Sequence, residues 1–113
     1  MKTALLKGQE SPDEPVRAYL HSVEAVARLL TRDNRRLLAL IRDCHPSSIA
    51  ALAELSGRSQ PNVARTLAKL QAMGFVAMET VGRQKSPRAV VRRVTALIDP
   101  YTEEDVITID KET

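Results

Sequence analysis

Apolar residues recur every three to four positions through the first two thirds of the chain and every two positions thereafter. The first spacing predicts α-helices and the second predicts β-strands. One helix is predicted over residues 11–30, because Ser-Pro-Asp-Glu at its start supplies a capping hydroxyl, a first-turn proline and acids for the positive end of the helix dipole. A second helix follows Thr31 and ends at His45, since a residue that precedes proline avoids the helical conformation.

The next two predicted helices are joined by a tight turn. Ser47 begins the third helix, and Gly57 ends it because glycine readily adopts the left-handed conformation found after helices. Ser59 caps the fourth helix, which carries Pro61 in its first turn and ends at Gly74. Two short helices with a glycine in the turn between them are typical of a helix-turn-helix.

The alternating pattern after Gly74 predicts a β-hairpin. Residues 75–80 and 90–98 are its predicted strands, and residues 81–89, which include Gly, Ser and Pro, form the turn at its tip. Residues 106–109 give a weaker strand pattern. The sequence therefore predicts a mainly α fold with a small β-hairpin, built from three to four helices and two to three antiparallel strands.

The charge of the chain is unevenly distributed, although its net value is only +3. Residues 58–93 contain eight basic side chains and one acidic one, whereas residues 99–113 contain six acidic side chains and one basic one. A basic stretch of this density is typical of a protein that binds a polyanion, and phosphates would repel the acidic stretch. A solvated surface would explain the same charges, so their positions on the fold decide between the two interpretations.

The predicted fourth helix has one apolar face and one polar face. Val63, Leu67 and Leu70 form the apolar face, and no acid occurs between residues 58 and 73. An outer face without acids is uncommon on a helix that merely contacts water. We therefore predict that this face contacts DNA.

The base contacts expected from this helix are Ser59, Gln60, Asn62, Arg65 and Thr66. Arg65 suits a bidentate contact to guanine, and Gln60 or Asn62 suits adenine. Phosphate contacts are expected near a helix start, where backbone N–H groups attract anions, and from cations of the basic stretch. These residues are Ser47, Ser48, Arg58, Lys69, Arg83, Lys85 and Arg88. Arg92 and Arg93 adjoin on a predicted strand and so point to opposite faces, and at most one of them faces DNA.

The stretch SSIAALAELSGRSQPNVARTLAKLQAMGFVAMETVGR spans the two short helices and the start of the hairpin. With its flanks, from residue 30 to residue 99, it resembles the winged helix-turn-helix domain of MarR-like small prokaryotic transcriptional regulators. Within that group it is similar to small DNA-binding proteins, some of which are encoded as antitoxins beside a toxin gene. The resemblance implies that the hairpin is a wing, which contacts an adjacent minor groove or phosphates through Arg83, Gln84, Lys85, Ser86 and Arg88.

These observations together predict a winged helix-turn-helix protein that binds specific double-stranded DNA as a transcriptional regulator, a repressor that occludes its operator. The expected divisions are a flexible arm at 1–10, an N-terminal helix at 11–30, the DNA-binding domain at 31–99 and an acidic tail at 100–113. One alternative is an antitoxin that controls its own promoter and binds a toxin through the acidic tail. Another is a winged-helix module that binds proteins without DNA.

The N-terminal helix has two possible roles. It either packs on the core of its own domain or forms a dimer interface through Tyr19, Leu20, Val23 and Val26. Palindromic DNA sites are bound by two-fold pairs of subunits, and small winged domains commonly bind in this way. A homodimer is therefore the expected state.

Other classes of protein are disfavoured. The single cysteine, Cys44, and the two distant histidines, His21 and His45, supply no metal-ligand spacing, and we expect the thiol to be buried or at a boundary. No nucleophile–base set or glycine-rich phosphate loop occurs, so neither an enzyme nor a cofactor is expected. The apolar runs are too short to span a membrane and no signal peptide is recognisable, so we expect a cytoplasmic protein.

Overall fold

The computed structural model of the protein describes residues 23–112. Within this range the chain forms helices first and strands afterwards. The elements are α1 (Val23–Leu29), α2 (Arg32–Cys44), α3 (Ile49–Ser56), α4 (Gln60–Ala72), β1 (Val76–Val81), β2 (Gln84–Ala89), β3 (Val91–Leu97) and β4 (Val106–Lys111). The strands pair as two antiparallel two-stranded sheets, so the described part is a small mixed α/β fold.

Side-chain caps determine where α2, α3 and α4 begin. The hydroxyl oxygens of Thr31, Ser48 and Ser59 each accept a hydrogen bond from the backbone N–H three residues ahead, at 3.0–3.3 Å. A cap of this kind contributes about 1 kcal/mol. Thr31 and Ser59 act as predicted, but Ser48 replaces Ser47 as the cap of α3. The helix begins one residue later than expected, and only the Ser48 hydroxyl reaches the N–H of Ala51.

The ends of α2 and α3 confirm the predicted boundaries. Gly57 follows α3 with a φ of 75°, and its N–H bonds the carbonyl of Ala53 at 2.9 Å. His45 follows α2 with a φ of 48°, and its N–H bonds the carbonyl of Ile41 at 3.2 Å. A left-handed residue other than glycine is uncommon. Here it reverses the chain just before the buried Pro46 and leads into α3.

One apolar core joins α1, α2, α3 and α4 to β1 and β4. Its buried members are Val26, Leu29, Leu37, Ile41, Leu52, Ala53, Val63, Leu67, Leu70, Phe75, Val76 and Ile107. Phe75, between α4 and β1, is the largest fully buried side chain of the described residues. Burying an aromatic or branched side chain of this kind contributes about 1.5–3 kcal/mol. The predicted arm at 1–10 and most of the predicted helix at 11–30 lie outside the described residues, and α1 is the part of that helix that is described.

The predicted hairpin differs from the observed one. β1 pairs with β2, and only Gly82 and Arg83 lie between the two strands. Gly82 has a φ of 63°, which suits a two-residue turn between twisted strands. Residues 81–89 were expected to be a turn because they contain Pro87. Proline is tolerated at a sheet edge, however, and both strands of a two-stranded sheet are edges.

β3 pairs with β4 rather than with the strand that follows Gly74. Ile107 of β4 is buried in the core, and Ile109 packs against the same core. The two isoleucines are two residues apart and so form an apolar strand face within the acidic stretch. The fold therefore extends beyond residue 99, and β4 replaces much of the acidic tail that was expected at 100–113.

Candidate nucleic-acid interface

The two faces of α4 have opposite character, as the helical period predicted. Val63, Leu67 and Leu70 are buried against the rest of the domain. Arg65 and Lys69 lie one turn apart on the exposed face. α3 packs on α4 and β1 follows from it, so the core holds the helix along its inner side while its outer side faces solvent.

Arg65 and Lys69 have no counter-charge nearby in sequence or in the described structure. No acid occurs between residue 58 and residue 78. Neither cation makes an ion pair among residues 23–112, where the observed pairs involve other arginines. Both charges are therefore available to an anionic partner.

Arg58 occupies a different environment from the one predicted for it. Its half-buried guanidinium donates from Nε to Oδ1 of Asn62 at 2.7 Å, from Nη1 to Oδ1 of Asn34 at 3.1 Å, and from Nη2 to Oγ1 of Thr66 at 2.8 Å. All three acceptors are uncharged, and no carboxylate pairs with Arg58 among residues 23–112. The predicted phosphate contact is therefore replaced by a structural link between α2 and α4.

The five base contacts predicted on α4 do not all reach its surface. Ser59, Gln60 and Arg65 are exposed, although the Ser59 hydroxyl oxygen also caps the helix. Asn62 is half-buried beside Arg58, and Thr66 is only 9% exposed, which contradicts its assignment as a base contact. The position of Thr66 explains this result, because it lies next to Leu67 and three residues after Val63, on the edge of the buried stripe.

Asn34 was not predicted as part of this site. It receives the hydrogen bond from Arg58 and donates its own amide, Nδ2, to the carbonyl of Leu29 at 2.8 Å. A signal was present in the sequence, because Asn34 lies three and seven residues before Leu37 and Ile41 and so continues their buried stripe. A polar side chain at such a position needs an internal partner.

The β1–β2 hairpin carries both free and occupied polar residues. Arg83, Gln84 and Lys85 are exposed around the turn, and neither cation makes an ion pair within the described range. Arg88 pairs with Glu79 across the two strands at 2.6 Å, an exposed pair of small energetic value. Ser86 donates its hydroxyl to the carbonyl of Pro46 at 2.9 Å, so it anchors the hairpin to the α2–α3 turn and is not free for phosphate.

Near the start of α3, the two predicted serines differ. Ser48 is half-buried and uses its hydroxyl oxygen as the helix cap, whereas Ser47 is exposed one residue before it. The N–H of Ala51 is taken by this cap, so the two serines do not form the pair of phosphate contacts that was predicted.

Arg92 and Arg93 do not separate onto opposite faces as predicted. Each places a guanidinium nitrogen 3.9 Å from Oδ2 of Asp110 on the paired strand. The register shifts between Val91 and Arg93, which marks a β-bulge, and a bulge interrupts the alternation of side chains along a strand. Both arginines therefore share one carboxylate.

A further exposed ion pair lies at the end of α2. Arg42 donates from Nε to the Asp43 carboxylate at 2.7 Å, and this hydrogen bond holds the pKa of Asp43 below its ordinary value. Cys44, the next residue, is exposed, which contradicts the predicted buried or boundary position of its thiol. Residues 23–112 contain no cluster of histidine, cysteine or acidic side chains that could hold a metal ion.

The residues predicted to form a dimer interface are only partly described. Tyr19 and Leu20 lie outside the described residues, and Val23 is half-buried against the core. Val26 is 8% exposed and belongs to the core of its own domain, so its side chain is not available to a second subunit. No helix in the described range has the length and apolar content needed to cross a membrane.

Comparison with known proteins places the chain in a family. No curated protein and no solved structure matches the chain. A family model matches residues 29–96, a range that runs from the end of α1 into β3 and includes the whole α3–α4 unit and the β1–β2 hairpin. This range covers more than half of the chain, and the family's name states no activity. The chain therefore belongs to the HVO_A0114 family.

Proposed function

We propose that this protein binds specific sites in double-stranded DNA and regulates transcription. In this proposal α3 and α4 form a helix-turn-helix, α4 enters the major groove, and the β1–β2 hairpin is the wing of a winged helix-turn-helix domain. Binding at an operator would occlude it, so the regulator is a repressor that acts in the cytoplasm of a prokaryotic cell. Two subunits on a two-fold site are the proposed assembly.

The observation that carries this proposal is the outer face of α4. Arg65 and Lys69 lie one turn apart on an exposed surface, without ion pairs in the described range, while the opposite face is buried. Within residues 23–112, neither charge contributes to the core or to a surface pair. Phosphates supply the missing counter-charge, and the arginine fork matches the two acceptors on the edge of guanine.

The hairpin adds a second group of free cations. Arg83 lies in the turn and Lys85 lies in β2 next to it, and neither makes an ion pair among the described residues. The strands are joined to the helical part through Ser86 and Pro46, so these cations are held by the fold. A wing of this kind suits phosphate contacts, whereas base reading belongs to α4.

The structure gives less support to the antitoxin alternative, because part of the expected acidic tail is a strand of the fold. It required an acidic tail that folds on a toxin, but residues 106–111 pair with β3 and Ile107 is buried. The exposed acids Glu103 and Glu104 lie in the connection between β3 and β4. No observation favours a toxin partner over DNA.

A salt titration tests the proposal. The affinity of the full chain for a labelled random-sequence duplex would be measured by fluorescence anisotropy at several salt concentrations. The logarithm of the affinity falls by about 0.9 per phosphate contact for each tenfold rise in salt. Lys69→Ala is expected to make this slope shallower by about 0.9. Lys111→Ala, an exposed lysine at the end of β4, serves as the matched control and should leave the slope unchanged.

Two outcomes would contradict the proposal. Absence of binding at low salt, with a folded protein by circular dichroism, would favour the protein-binding alternative. An equal change in slope for both lysine variants would mean that net charge, and not the face of α4, determines binding.

A further inference from the structure

The Asn62 amide is held in one orientation by Arg58. An arginine side chain has only hydrogen-bond donors, so the Asn62 atom that lies 2.7 Å from Nε is the amide oxygen. Nδ2 of Asn62 is therefore the end of the amide that Arg58 does not contact, and it makes no hydrogen bond among residues 23–112. The orientation of an asparagine amide is commonly ambiguous, but here the donor beside it removes the ambiguity.

Arg58 is itself fixed at two further points. Its other nitrogens donate to Asn34 and Thr66, and Asn34 is held in turn by the carbonyl of Leu29 at the end of α1. The guanidinium therefore cannot turn away from Asn62 without losing hydrogen bonds in a half-buried site. Leaving such groups unsatisfied costs free energy, so the network favours the arrangement seen.

We propose that Arg58 makes Asn62 a reader of guanine, an inference that rests on the proposed function. A bidentate contact to adenine requires the Asn62 oxygen to accept from the adenine amino group. That oxygen already accepts the Nε–H of Arg58 with one of its two lone pairs. The positive charge of Arg58, which no carboxylate balances in the described structure, disfavours a second donor at the same oxygen. Guanine instead presents two acceptors, N7 and O6, to the free Nδ2 group. Thymine, with one acceptor at O4, ranks second.

The sequence offers Gln60 or Asn62 as a contact to adenine, and this proposal assigns Asn62 to guanine instead. In it Asn62 touches the base, whereas Arg58 is a positioning residue that acts through Asn62. Gln60 has no such hydrogen bond in the described structure, so its amide can still turn to offer both a donor and an acceptor.

Selection of bound duplexes from random DNA tests the inference. The full-length wild type is expected to yield a motif in which one position prefers guanine or thymine and loses that preference in Asn62→Ala. Asn62→Asp keeps an oxygen for Arg58 and offers its second oxygen as an acceptor, so the same position should shift to cytosine, which presents an amino donor. Gln71→Glu is the control for the added negative charge, because Gln71 is exposed at the far end of α4.

Variants of Arg58 test the positioning role. Arg58→Ala is expected to relax preference at the Asn62 position alone, and Arg58→Lys, which retains one donor, should restore part of it. Relaxation at every position would indicate a general structural role and would overturn the proposal. Circular dichroism establishes whether each variant folds. If Arg58→Ala does not fold, the Asn62 variants still test whether Asn62 reads guanine.

The outcomes distinguish a failure of the proposed DNA binding from a failure of the guanine assignment of Asn62. A wild-type protein that selects no motif overturns the proposed function and this inference with it. A wild-type motif that is unchanged in Asn62→Asp, or one whose Asn62-dependent position is adenine or cytosine, overturns the inference and leaves the proposed function standing. The loss of guanine preference in Asn62→Ala together with a gain of cytosine in Asn62→Asp supports both.

Discussion

The outer face of α4 and the start of β3 each carry two neighbouring cations, yet the two pairs differ in what they contact. Arg92 and Arg93 share the carboxylate of Asp110 on the adjacent strand. Arg65 and Lys69 have no ion pair in the described range and lie on a helix whose flanks lack acids. All four belong to one basic stretch of the sequence. The two surfaces therefore differ in pairing: the single charge of Asp110 offsets one of the two arginine charges at β3, whereas both charges on α4 are unpaired in the described range.

Arg58 shows a third environment for a cation of the same stretch. Its guanidinium is half-buried and donates to three neutral oxygens, which hold the side chain in one place. A count of basic residues does not distinguish Arg58 from Arg65. Their surroundings do, because Arg58 is held by hydrogen bonds within the domain and Arg65 is exposed to solvent.

The largest expected difference between the two regions is in DNA affinity. Arg65→Ala combined with Lys69→Ala removes one proposed base contact and one proposed phosphate contact, and a base contact alone is worth about 1–3 kcal/mol. Arg92→Ala combined with Arg93→Ala removes the same net charge from the paired region. Anisotropy with a duplex selected by the wild type should show a large loss for the first variant and a small one for the second. Equal losses would contradict the distinction between free and paired cations.

A smaller effect is expected from Gly82→Ala in the hairpin turn. Gly82 has a φ of 63°, and a side chain placed there would meet no atom within 4 Å, so the backbone conformation alone is strained. The expected loss in the free energy of unfolding is about 1–2 kcal/mol, measured by urea denaturation. If the hairpin cations contact phosphate, as we propose, a loosened turn also makes the salt dependence of DNA binding shallower. Unchanged stability would mean that the turn readily adopts another conformation.

The smallest effect is expected when the paired arginines of β3 are freed from their carboxylate. Asp110→Asn frees Arg92 and Arg93, and loss of such exposed pairs should change the free energy of unfolding by less than about 1 kcal/mol. Affinity for random DNA at low salt should rise, since β3 then resembles the outer face of α4. Glu103→Gln, in the exposed β3–β4 connection, makes the same change in net charge and serves as the control. An equal rise in both variants would show that overall charge alone matters.

Local features of this fold follow from the sequence because their causes lie within a few residues. The caps at Thr31 and Ser59 and the left-handed Gly57 all reflect short-range hydrogen bonds and backbone preferences. Strand pairing, in contrast, depends on residues that are far apart in the sequence. Residues 84–89 contain mostly polar side chains and a proline, and they become a strand by pairing with β1, which no local pattern indicates.

Some features of the candidate site also follow from local sequence, whereas others depend on how the elements pack. The exposure of Arg65 and Lys69 follows from the helical period alone. The environments of Arg58 and Ser86 depend on partners that are 24 and 40 residues away in the sequence, respectively, and these partners become neighbours only when α2, α4 and β2 pack. Such contacts depend on the angles between elements, which spacing along the chain does not reveal.

The hydrogen bond from Ser86 to Pro46 has a consequence for the entropy of complex formation. An arm attached to a domain only at its base must give up its swinging motion when it meets a ligand, and that loss opposes association. The second attachment point of this hairpin restrains the motion when the protein folds. Arg83 and Lys85 are thereby held at a restrained distance from α4. A ligand that contacts both the hairpin and α4 has to match that distance.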